Sequence, residues 1–283
     1  MITSEIIAVG SELLMPEKTD TNSLWLTEKL NEIGVEVMLK TIVGDDEPRL
    51  LETIKDALKR SDVVLTTGGL GPTEDDLTRQ IAAKALGRDL VYRDDIENDI
   101  RDRFAKMGRE MAEINKRQAY AIDGSEILAN PNGTAPGLLY EENRKFLIVL
   151  PGPPRELKPM FADHVLPRLK KVAGNVVVRR RVIGISGMGE SAIDELVAPI
   201  YTKFENVRTS ILFNKTQVEI HLYMKARTAD EADILLDDMS SQITSVLGKA
   251  VFTTNGETME EIVGKMLLER GLTVSTAESC TGG

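Results

Sequence analysis

The chain has 283 residues, 42% of them hydrophobic, which predicts a globular protein of about two domains. The formal net charge of −10 argues against a general nucleic-acid binder and against binding to membrane surfaces. A single cysteine, Cys280, excludes an internal disulfide and a cysteine-based zinc site. The first residues carry no secretory signal, and no apolar run is long enough to span a membrane, so we expect a cytoplasmic protein.

Predicted strands and helices alternate over the first 170 residues. The apolar patterns predict strands at 2–9, 35–43, 63–67 and 145–150, and helices at 23–33, 48–60, 76–86, 94–107 and from 155. Near-continuous apolar strands separated by helices are typical of an α/β fold with a parallel sheet. We interpret residues 120–145 as rich in loops, because turn-forming residues cluster at 130–137.

The pattern changes from about residue 171. Predicted strands at 176–185, 207–213, 217–226 and 250–253, with helices at 190–203 and 230–247, follow the order β-α-β-β-α-β. This split-βαβ layout indicates a smaller α+β domain, in which residues 214–216 join the two middle strands. We therefore predict one domain over 1–170 and a second over 171–255. Its acidic and basic residues balance, which argues against tight binding of nucleic acid.

Residues 256–283 form a third predicted segment. An apolar stripe from Met259 to Leu267 predicts a helix, Gly271 ends it, and residues 272–276 have the pattern of a strand. So short a segment cannot bury a core of its own. We therefore expect either that the helix docks elsewhere or that the segment is the stub of a further domain.

The most informative segment follows the strand at 63–67 and contains three glycines and three acids. It is Thr67-Gly-Gly-Leu-Gly-Pro-Thr-Glu-Asp-Asp-Leu-Thr78. Glycines let the backbone approach a ligand closely, and the helix N-terminus that follows favours phosphate. The loop contains no lysine, however, and its acids would repel phosphate. The segment therefore predicts a phosphate site that works with a metal ion or with proton transfer.

Further acids follow other strands of the predicted sheet. Glu12 follows the first strand, Asp45 and Asp46 follow the second, and Asp76 ends the glycine loop. Ligands of open parallel sheets bind at the carboxyl ends of the strands, so these acids are expected on one rim. Carboxylates and water suit Mg²⁺ or Mn²⁺, and such a metal would neutralise phosphate and polarise a water molecule.

Two simpler interpretations stay open at this point. Asp45, Asp46 and Asp76 could each cap a helix, and we favour a capping role for the segment Asp20-Thr-Asn22 before the first helix. The basic run at 115–118 could contact phosphate or could be a solvated helix end.

Five motifs together resemble those of the competence/damage-inducible protein A (CinA) family. They are Gly10-Ser-Glu-Leu-Leu14, Asp20-Thr-Asn22, Thr67–Thr78, Asn132–Gly137 and Pro151–Glu156. The resemblance extends over the whole chain and implies a molybdopterin-binding-like first domain and a KH-like middle domain. In the wider superfamily the glycine loop holds a phosphate or nucleotide, and Asp76, Asp45 and Glu12 match acids of the site. Ser11 stands where the superfamily more usually has Asp.

Within this family the resemblance implies a metal-dependent ADP-ribose pyrophosphatase that releases AMP and ribose 5-phosphate. The expected cofactor is Mg²⁺, Mn²⁺ or Co²⁺, and the expected partner is a second copy of the chain. Catalysis and metal binding are assigned to Glu12, Asp45 and Asp76. Substrate binding is assigned to Asn22, Gly68, Gly69, Gly71, Thr73, Thr78, Asn132, Thr134, Pro153 and Arg155. The alternative is a molybdopterin-binding or adenylylating enzyme of molybdenum cofactor synthesis, which would use the same loop.

The last residues, 277–283, resemble the start of a nicotinamide-mononucleotide deamidase domain, in which Ser279 matches the nucleophile. A serine nucleophile needs a base and an oxyanion site, and the sequence supplies neither after Gly283. We therefore expect no deamidase activity from this chain and interpret Gly283 as a truncation.

Overall fold

The structure, a computed structural model, describes residues 2–174, 176–214 and 217–280. The chain divides into two compact units, Met1–Asn175 and Val176–Gly283. The separation of residues 256–283 from the middle domain stays a prediction. In the described part of the chain, no helix is both long and apolar enough to span a bilayer.

The first unit is an α/β fold in which helices pack on both faces of a mixed sheet. Its strands are β1 (Thr3–Val9), β2 (Glu36–Val43), β3 (Val63–Thr67), β4 (Leu90–Tyr92), β5 (Tyr120–Ile122), β6 (Glu126–Leu128), β7 (Gly137–Glu142) and β8 (Lys145–Leu150). Its α-helices are α1 (Thr21–Glu32), α2 (Glu47–Arg60), α3 (Thr78–Leu86), α4 (Asp94–Lys106), α5 (Pro154–Met160) and α6 (Leu166–Ala173). Short 3₁₀ helices cover Ser11–Leu14 and Glu113–Ala119, and a π-helical turn covers Phe161–Val165.

The main sheet has the order β2-β1-β3-β8-β7-β6. The first four strands are parallel, as predicted, while β7 and β6 continue the sheet antiparallel. Helices α2, α3 and α4 pack on one face, and α1, α5 and α6 pack on the other. Alternate residues of β1 show this arrangement, because Ile7 belongs to the first core and Ile6 to the second.

The prediction of a loop-rich region over 120–145 is wrong for β5, β6 and β7. Gly137 contributed to the predicted turn, but it begins β7 and packs against the neighbouring strand and helix. A Cβ at this position would lie 2.4 Å from Met160 Sδ and 3.0 Å from the Val149 carbonyl oxygen. This glycine therefore serves a close approach inside the sheet rather than a turn.

The second unit has the predicted β-α-β-β-α-β order. Its elements are β9 (Val177–Ile185), α7 (Glu190–Tyr201), β10 (Val207–Asn214), β11 (Gln217–Ala226), α8 (Ala229–Leu247), β12 (Val251–Thr253) and α9 (Met259–Glu269). The sheet order is β10-β11-β9-β12 with antiparallel neighbours, and residues of α7 and α8 complete its core. The turn residues Lys215 and Thr216 lie outside the described residues.

Helix α9 begins with a capping box formed by Thr258 and Glu261 and buries none of its side chains. The strand predicted at 272–276 is wrong, because residues 272–278 form neither helix nor strand. A strand depends on pairing with a neighbour, and within the described residues none pairs with this segment.

An ion pair between a buried carboxylate and a half-exposed arginine joins the start of β1 to the end of α2. The side chain of Glu5 is 2% exposed and accepts hydrogen bonds from Arg60 Nε (2.7 Å), Arg60 Nη2 (2.8 Å) and Ser61 Oγ (2.7 Å). Burial raises the pKa of the Glu5 carboxyl, but the hydrogen bonds from Arg60 and Ser61 outweigh it, so the pKa lies below its ordinary value. The ionised form of Glu5 therefore stabilises the folded state more than the protonated form does.

We predict that Glu5→Gln lowers the free energy of unfolding by about 1–3 kcal/mol at pH 7, because two charge-assisted hydrogen bonds are lost. The folded-state pKa is depressed, so this stabilisation is present above the ordinary carboxyl pKa near 4.5 and is lost as the pH falls through the lower folded value. Urea titrations at pH 7 and at pH 3 measure both effects. Glu52→Gln, on an exposed position of α2, is the control. An equal loss at both pH values would contradict the prediction.

Candidate functional site

A cavity of about 680 Å³ lies at the carboxyl ends of the parallel strands. Its wall includes Gly10 after β1, Asp45 after β2, the glycine loop after β3 and Pro151 after β8. The predicted residues that line it are Glu12, Asn22, Asp45, Gly68, Gly69, Gly71, Asp76, Thr134 and Pro153. Parallel strands bring these segments together, although they are far apart in sequence.

The glycine loop has a conformation that other residues do not fit. Gly68 and Gly69 have φ values of 100° and 66°. A Cβ at Gly68 would lie 2.2 Å from the Val9 carbonyl oxygen, and one at Gly69 would lie 2.1 Å from Thr78 Oγ1. Both glycines are therefore required by backbone conformation and by close packing.

The loop leaves several N–H groups without partners. The Gly68 N–H donates to the Leu150 carbonyl of β8 (3.0 Å), and the Gly69 carbonyl accepts from the Thr78 N–H (3.1 Å). The N–H groups of Gly69, Leu70 and Gly71 have no hydrogen-bond acceptor within the described residues. Because all three residues line the cavity, they provide a set of backbone donors at its wall.

Asp76 closes the loop without capping helix α3. Its Oδ2 accepts from the backbone N–H of Thr73 (3.0 Å) and from the Thr73 hydroxyl (2.5 Å), whereas the N-cap residue of α3 is Leu77. A Cβ at Gly71 would lie 2.3 Å from this oxygen, so the carboxylate lies directly against the loop. The capping interpretation is wrong for Asp76.

Asp45 joins the loops that follow β1 and β2. Its Oδ2 accepts from the Ser11 N–H (2.8 Å), and its own N–H donates to Ser11 Oγ (2.9 Å). Asp46, by contrast, caps α2 by accepting from the Arg49 N–H (2.9 Å). The capping interpretation is therefore confirmed for Asp46 but not for Asp45.

The cavity is strongly acidic. Its ionisable lining residues are six carboxylates and one lysine, namely Glu12, Asp20, Asp45, Asp75, Asp76, Glu156 and Lys18. The carboxylate of Glu12 lies over Gly10, where a Cβ would be 2.5 Å from Glu12 Oε2. Asp20 caps α1 by accepting from the Ser23 N–H (3.0 Å), as favoured from the sequence.

The acids share the cavity wall but do not form a compact metal site. Within the described residues, no group of three or more Asp, Glu, His or Cys side chains is placed to hold a metal ion directly. The donor chemistry nevertheless suits Mg²⁺, which prefers carboxylate oxygens and keeps several of its water ligands. The metal-binding role of Glu12, Asp45 and Asp76 stays a prediction.

Glu156 is an acid of the cavity that the sequence analysis did not select. Its side chain lies in the first turn of α5, is 9% exposed and accepts from Asn130 Nδ2 (2.8 Å). A Cβ at Gly133 would lie 1.9 Å from its Oε2, so the chain folds tightly around this carboxylate. Its position directly after the proline-rich turn that ends β8 was the available signal.

Several predicted binding residues lie outside the cavity wall. Thr78 is buried against Gly69, and no described residue forms a hydrogen bond with its Oγ1. Asn132 Nδ2 donates to the Arg155 carbonyl (3.0 Å), and both side chains are exposed. Thr73 donates two hydrogen bonds to the Asp76 carboxylate, as described above. Ser279 is exposed in the second unit.

Asn22 and the basic run have partners within the first unit. Asn22 Nδ2 donates to the Gly152 carbonyl (2.7 Å) and so holds the proline-rich loop. Its buried Oδ1 has no hydrogen-bond partner among the described residues. Lys116 pairs with Glu113, and Arg117 pairs with Glu74. Of residues 115–118, only Gln118 lines the cavity.

Comparison with known proteins gives matches to both units. Residues 5–171 match the family model of a probable molybdopterin binding domain, and residues 180–253 match that of the damage-inducible protein CinA KH domain. The chain is 48% identical to a CinA-like protein of Solibacter usitatus over 280 residues, which cover 99% of this chain and 67% of that protein. It is 41% identical to a putative competence-damage inducible protein of Clostridium novyi, with the same coverage.

A crystal structure of the protein CinA from Thermoplasma acidophilum, described as being of unknown function, is also similar. It matches with a TM-score of 0.54 and 30% sequence identity, covering 60% of this chain and 98% of that chain. The two family models agree with the matches to curated relatives, which cover 99% of this chain and about two thirds of each relative. The chain belongs to the CinA family.

Proposed function

We propose that the cavity of the first unit binds the diphosphate of ADP-ribose and hydrolyses it to AMP and ribose 5-phosphate with a divalent metal ion. The observation that carries this proposal is the pairing of two features on one cavity wall. Three unpaired backbone N–H groups, at residues 69–71, lie on the same wall as six carboxylates. A lone phosphate site would not need so many acids, and a lone metal site would not need the donors.

The backbone donors support binding of phosphate. N–H groups at a glycine loop that precedes a helix form favourable sites for anionic oxygens. Helix α3 begins at Thr78, a few residues after the loop, and adds the positive end of its dipole. The diphosphate is therefore assigned to the loop at Gly68–Thr73.

The carboxylates support a metal-assisted reaction. The cavity acids would repel a diphosphate in the absence of a counter-charge. A bound dication would neutralise the diphosphate oxygens and polarise the attacking water. Glu12, Asp45 and Asp76 are the residues that would hold it, with water completing the coordination.

Hydrolysis adds one water molecule across the P–O–P bridge. The water oxygen forms a bond to one phosphorus, the bridging oxygen leaves with the other phosphate, and a proton from the water must be accepted. Asp76 is our choice for this base, because its carboxylate lies against the phosphate loop at Gly71. Two hydrogen bonds from Thr73 orient it there.

A second candidate function is binding or adenylylation of molybdopterin. It is favoured by the match of residues 5–171 to a probable molybdopterin binding domain. The terminal phosphate of that ligand would use the same backbone donors.

Assembly as a homodimer, which the family resemblance implies, is likewise proposed for this chain.

The first test is incubation of the purified chain with ADP-ribose and Mg²⁺, Mn²⁺ or Co²⁺. We expect AMP and ribose 5-phosphate in equal amounts, and no product once EDTA removes the metal, because the cavity acids then repel the diphosphate. Chromatography with phosphate-containing standards measures both products. Tight binding of molybdopterin without hydrolysis of ADP-ribose would instead favour the second candidate.

We predict that Asp76→Asn lowers turnover by about 10²- to 10⁴-fold, because Asn preserves the shape of the side chain but cannot accept the proton. The folded state should persist, since the Asn carbonyl can still accept from Thr73. Initial rates and thermal unfolding midpoints measure the two effects. Asp123→Asn, at an exposed turn, is the matched control. Wild-type turnover in the Asp76 variant would remove Asp76 from the mechanism.

We predict that Gly71→Ala weakens AMP binding by about tenfold or more, since the added methyl group must displace the Asp76 carboxylate and its bonds to Thr73. Calorimetric titration with AMP and Mg²⁺ gives the dissociation constant. Gly189→Ala is the control, because a Cβ there meets nothing within 4 Å. Equal affinities in the two variants would show that the loop can move without consequence for the ligand.

A further inference from the structure

Arg79 is the largest charged side chain buried in the described part of the protein. It lies in the first turn of α3, and it is 1% exposed. Arginine is seldom buried without an acidic partner, because the loss of hydration is then uncompensated. Within the described residues, no carboxylate forms an ion pair with it. So costly an arrangement requires a specific role.

The guanidinium of Arg79 binds the backbone of the phosphate loop from behind. Its Nη2 donates to the Leu70 carbonyl (3.1 Å), and its Nη1 donates to the Arg117 carbonyl (3.1 Å). The Nε–H is buried and has no hydrogen-bond partner in the part of the chain that the structure describes. Gln118 Nε2 also approaches the Leu70 carbonyl (3.4 Å), so two side chains hold this oxygen inside the protein.

The planarity of the peptide bond connects this contact to the cavity. The Leu70–Gly71 peptide is trans, so its carbonyl and its N–H point in opposite directions. The carbonyl of Leu70 points inward to Arg79. The N–H of Gly71 therefore points away from Arg79, and Gly71 is a residue of the cavity wall.

The guanidinium also places a positive charge close behind the loop. Burial lowers the pKa of Arg79 to about 10 against the opposing influence of Asp76, so the group is still protonated at neutral pH. A charge in the interior acts on its surroundings through a lower dielectric than a charge at the surface. It therefore attracts an anion on the other side of the loop more strongly than an exposed arginine would.

We propose that Arg79 is the positioning residue of the phosphate loop: it fixes the Leu70–Gly71 peptide so that the Gly71 N–H donates to a bound phosphate, and it supplies the buried counter-charge for that phosphate. The proposal rests on the proposed function to the extent that the loop is the phosphate site. It holds for any phosphate or diphosphate ligand of the cavity, whether or not that ligand is then hydrolysed.

The experiment compares Arg79→Met and Arg79→Lys with Arg88→Met. Arg88 follows the end of α3 and forms a surface ion pair with Glu142 (2.6 Å), so it undergoes the same chemical change far from the loop. The probe is inorganic pyrophosphate with Mg²⁺, titrated into ¹⁵N-labelled protein. Calorimetry gives the dissociation constant, and the Gly71 amide resonance reports its hydrogen bond directly.

In the wild-type protein and in Arg88→Met, pyrophosphate should shift the Gly71 amide proton downfield. Arg79→Met should weaken binding by about 10- to 100-fold, as expected for a lost charge-assisted hydrogen bond, and the shift should disappear. Arg79→Lys keeps the charge and one donor, so it should recover part of both. A purely structural role would lower the unfolding midpoint and leave the shift intact in the folded fraction.

An unshifted Gly71 amide in the wild-type protein would overturn the proposal, as would equal affinity and equal shift in Arg79→Met. If Arg79→Met does not fold, Arg79→Lys decides the matter: a weaker affinity and a smaller Gly71 shift than in the wild-type protein support the role of Arg79, and wild-type values of both overturn it. Release of AMP from ADP-ribose is measured separately. If no AMP forms but pyrophosphate binding depends on Arg79 as described, the hydrolase proposal fails and the role of Arg79 stands.

Discussion

The close approach of the loop after β3 to the end of β1 is the contact on which the rest of the site depends. Gly68 lies so near the Val9 carbonyl that a Cβ would be 2.2 Å from its oxygen. After β3, the Gly68 N–H donates to the Leu150 carbonyl of β8. The Gly69 carbonyl then accepts from the Thr78 N–H at the start of α3. In this path the N–H groups at residues 69–71 have no acceptor among the described residues, which makes them available to a ligand. A side chain at Gly68 would clash with the Val9 carbonyl and prevent the loop from adopting this conformation.

Three acids of the cavity already form hydrogen bonds within the protein in the absence of a ligand. Asp45 joins the loops after β1 and β2, Asp76 closes the phosphate loop through Thr73, and Glu156 binds Asn130. Each carboxylate is thus oriented by hydrogen bonds from the chain and does not need a ligand to set its position. Such preorganisation lowers the cost of binding a metal or a phosphate. It also means that replacing an acid with Ala would disturb a loop as well as the chemistry, so an isosteric amide is the cleaner change.

Much of this site could be predicted because parallel strands place their carboxyl ends on one rim. That rule was enough to bring Glu12, Asp45 and Asp76 to one cavity. Strands β6 and β7 were missed because Gly137 has the same signature in a turn as in a tightly packed strand, and the neighbours that distinguish the two come from distant segments. Glu156 was missed for a related reason, since its burial depends on Asn130 and Gly133. Among the described residues no three of these acids are placed to hold a metal ion directly, because a shared position on the rim does not make side chains converge.

Arg79 shows the limit of sequence reasoning most clearly, because an arginine in the first turn of a helix ordinarily points to solvent. Two opposite charges, those of Asp76 and Arg79, therefore lie at different positions near the start of α3. Asp76 lies against the loop on the cavity wall, while Arg79 binds the Leu70 carbonyl from inside. A cation on the cavity side would lie among six carboxylates. The Arg79 guanidinium instead binds the carbonyl oxygens of Leu70 and Arg117 and forms no ion pair with a carboxylate within the described residues. If the loop binds phosphate as we propose, its backbone donors and the charge of Arg79 would serve the phosphate, and the acids would stay available for a metal ion or for a proton.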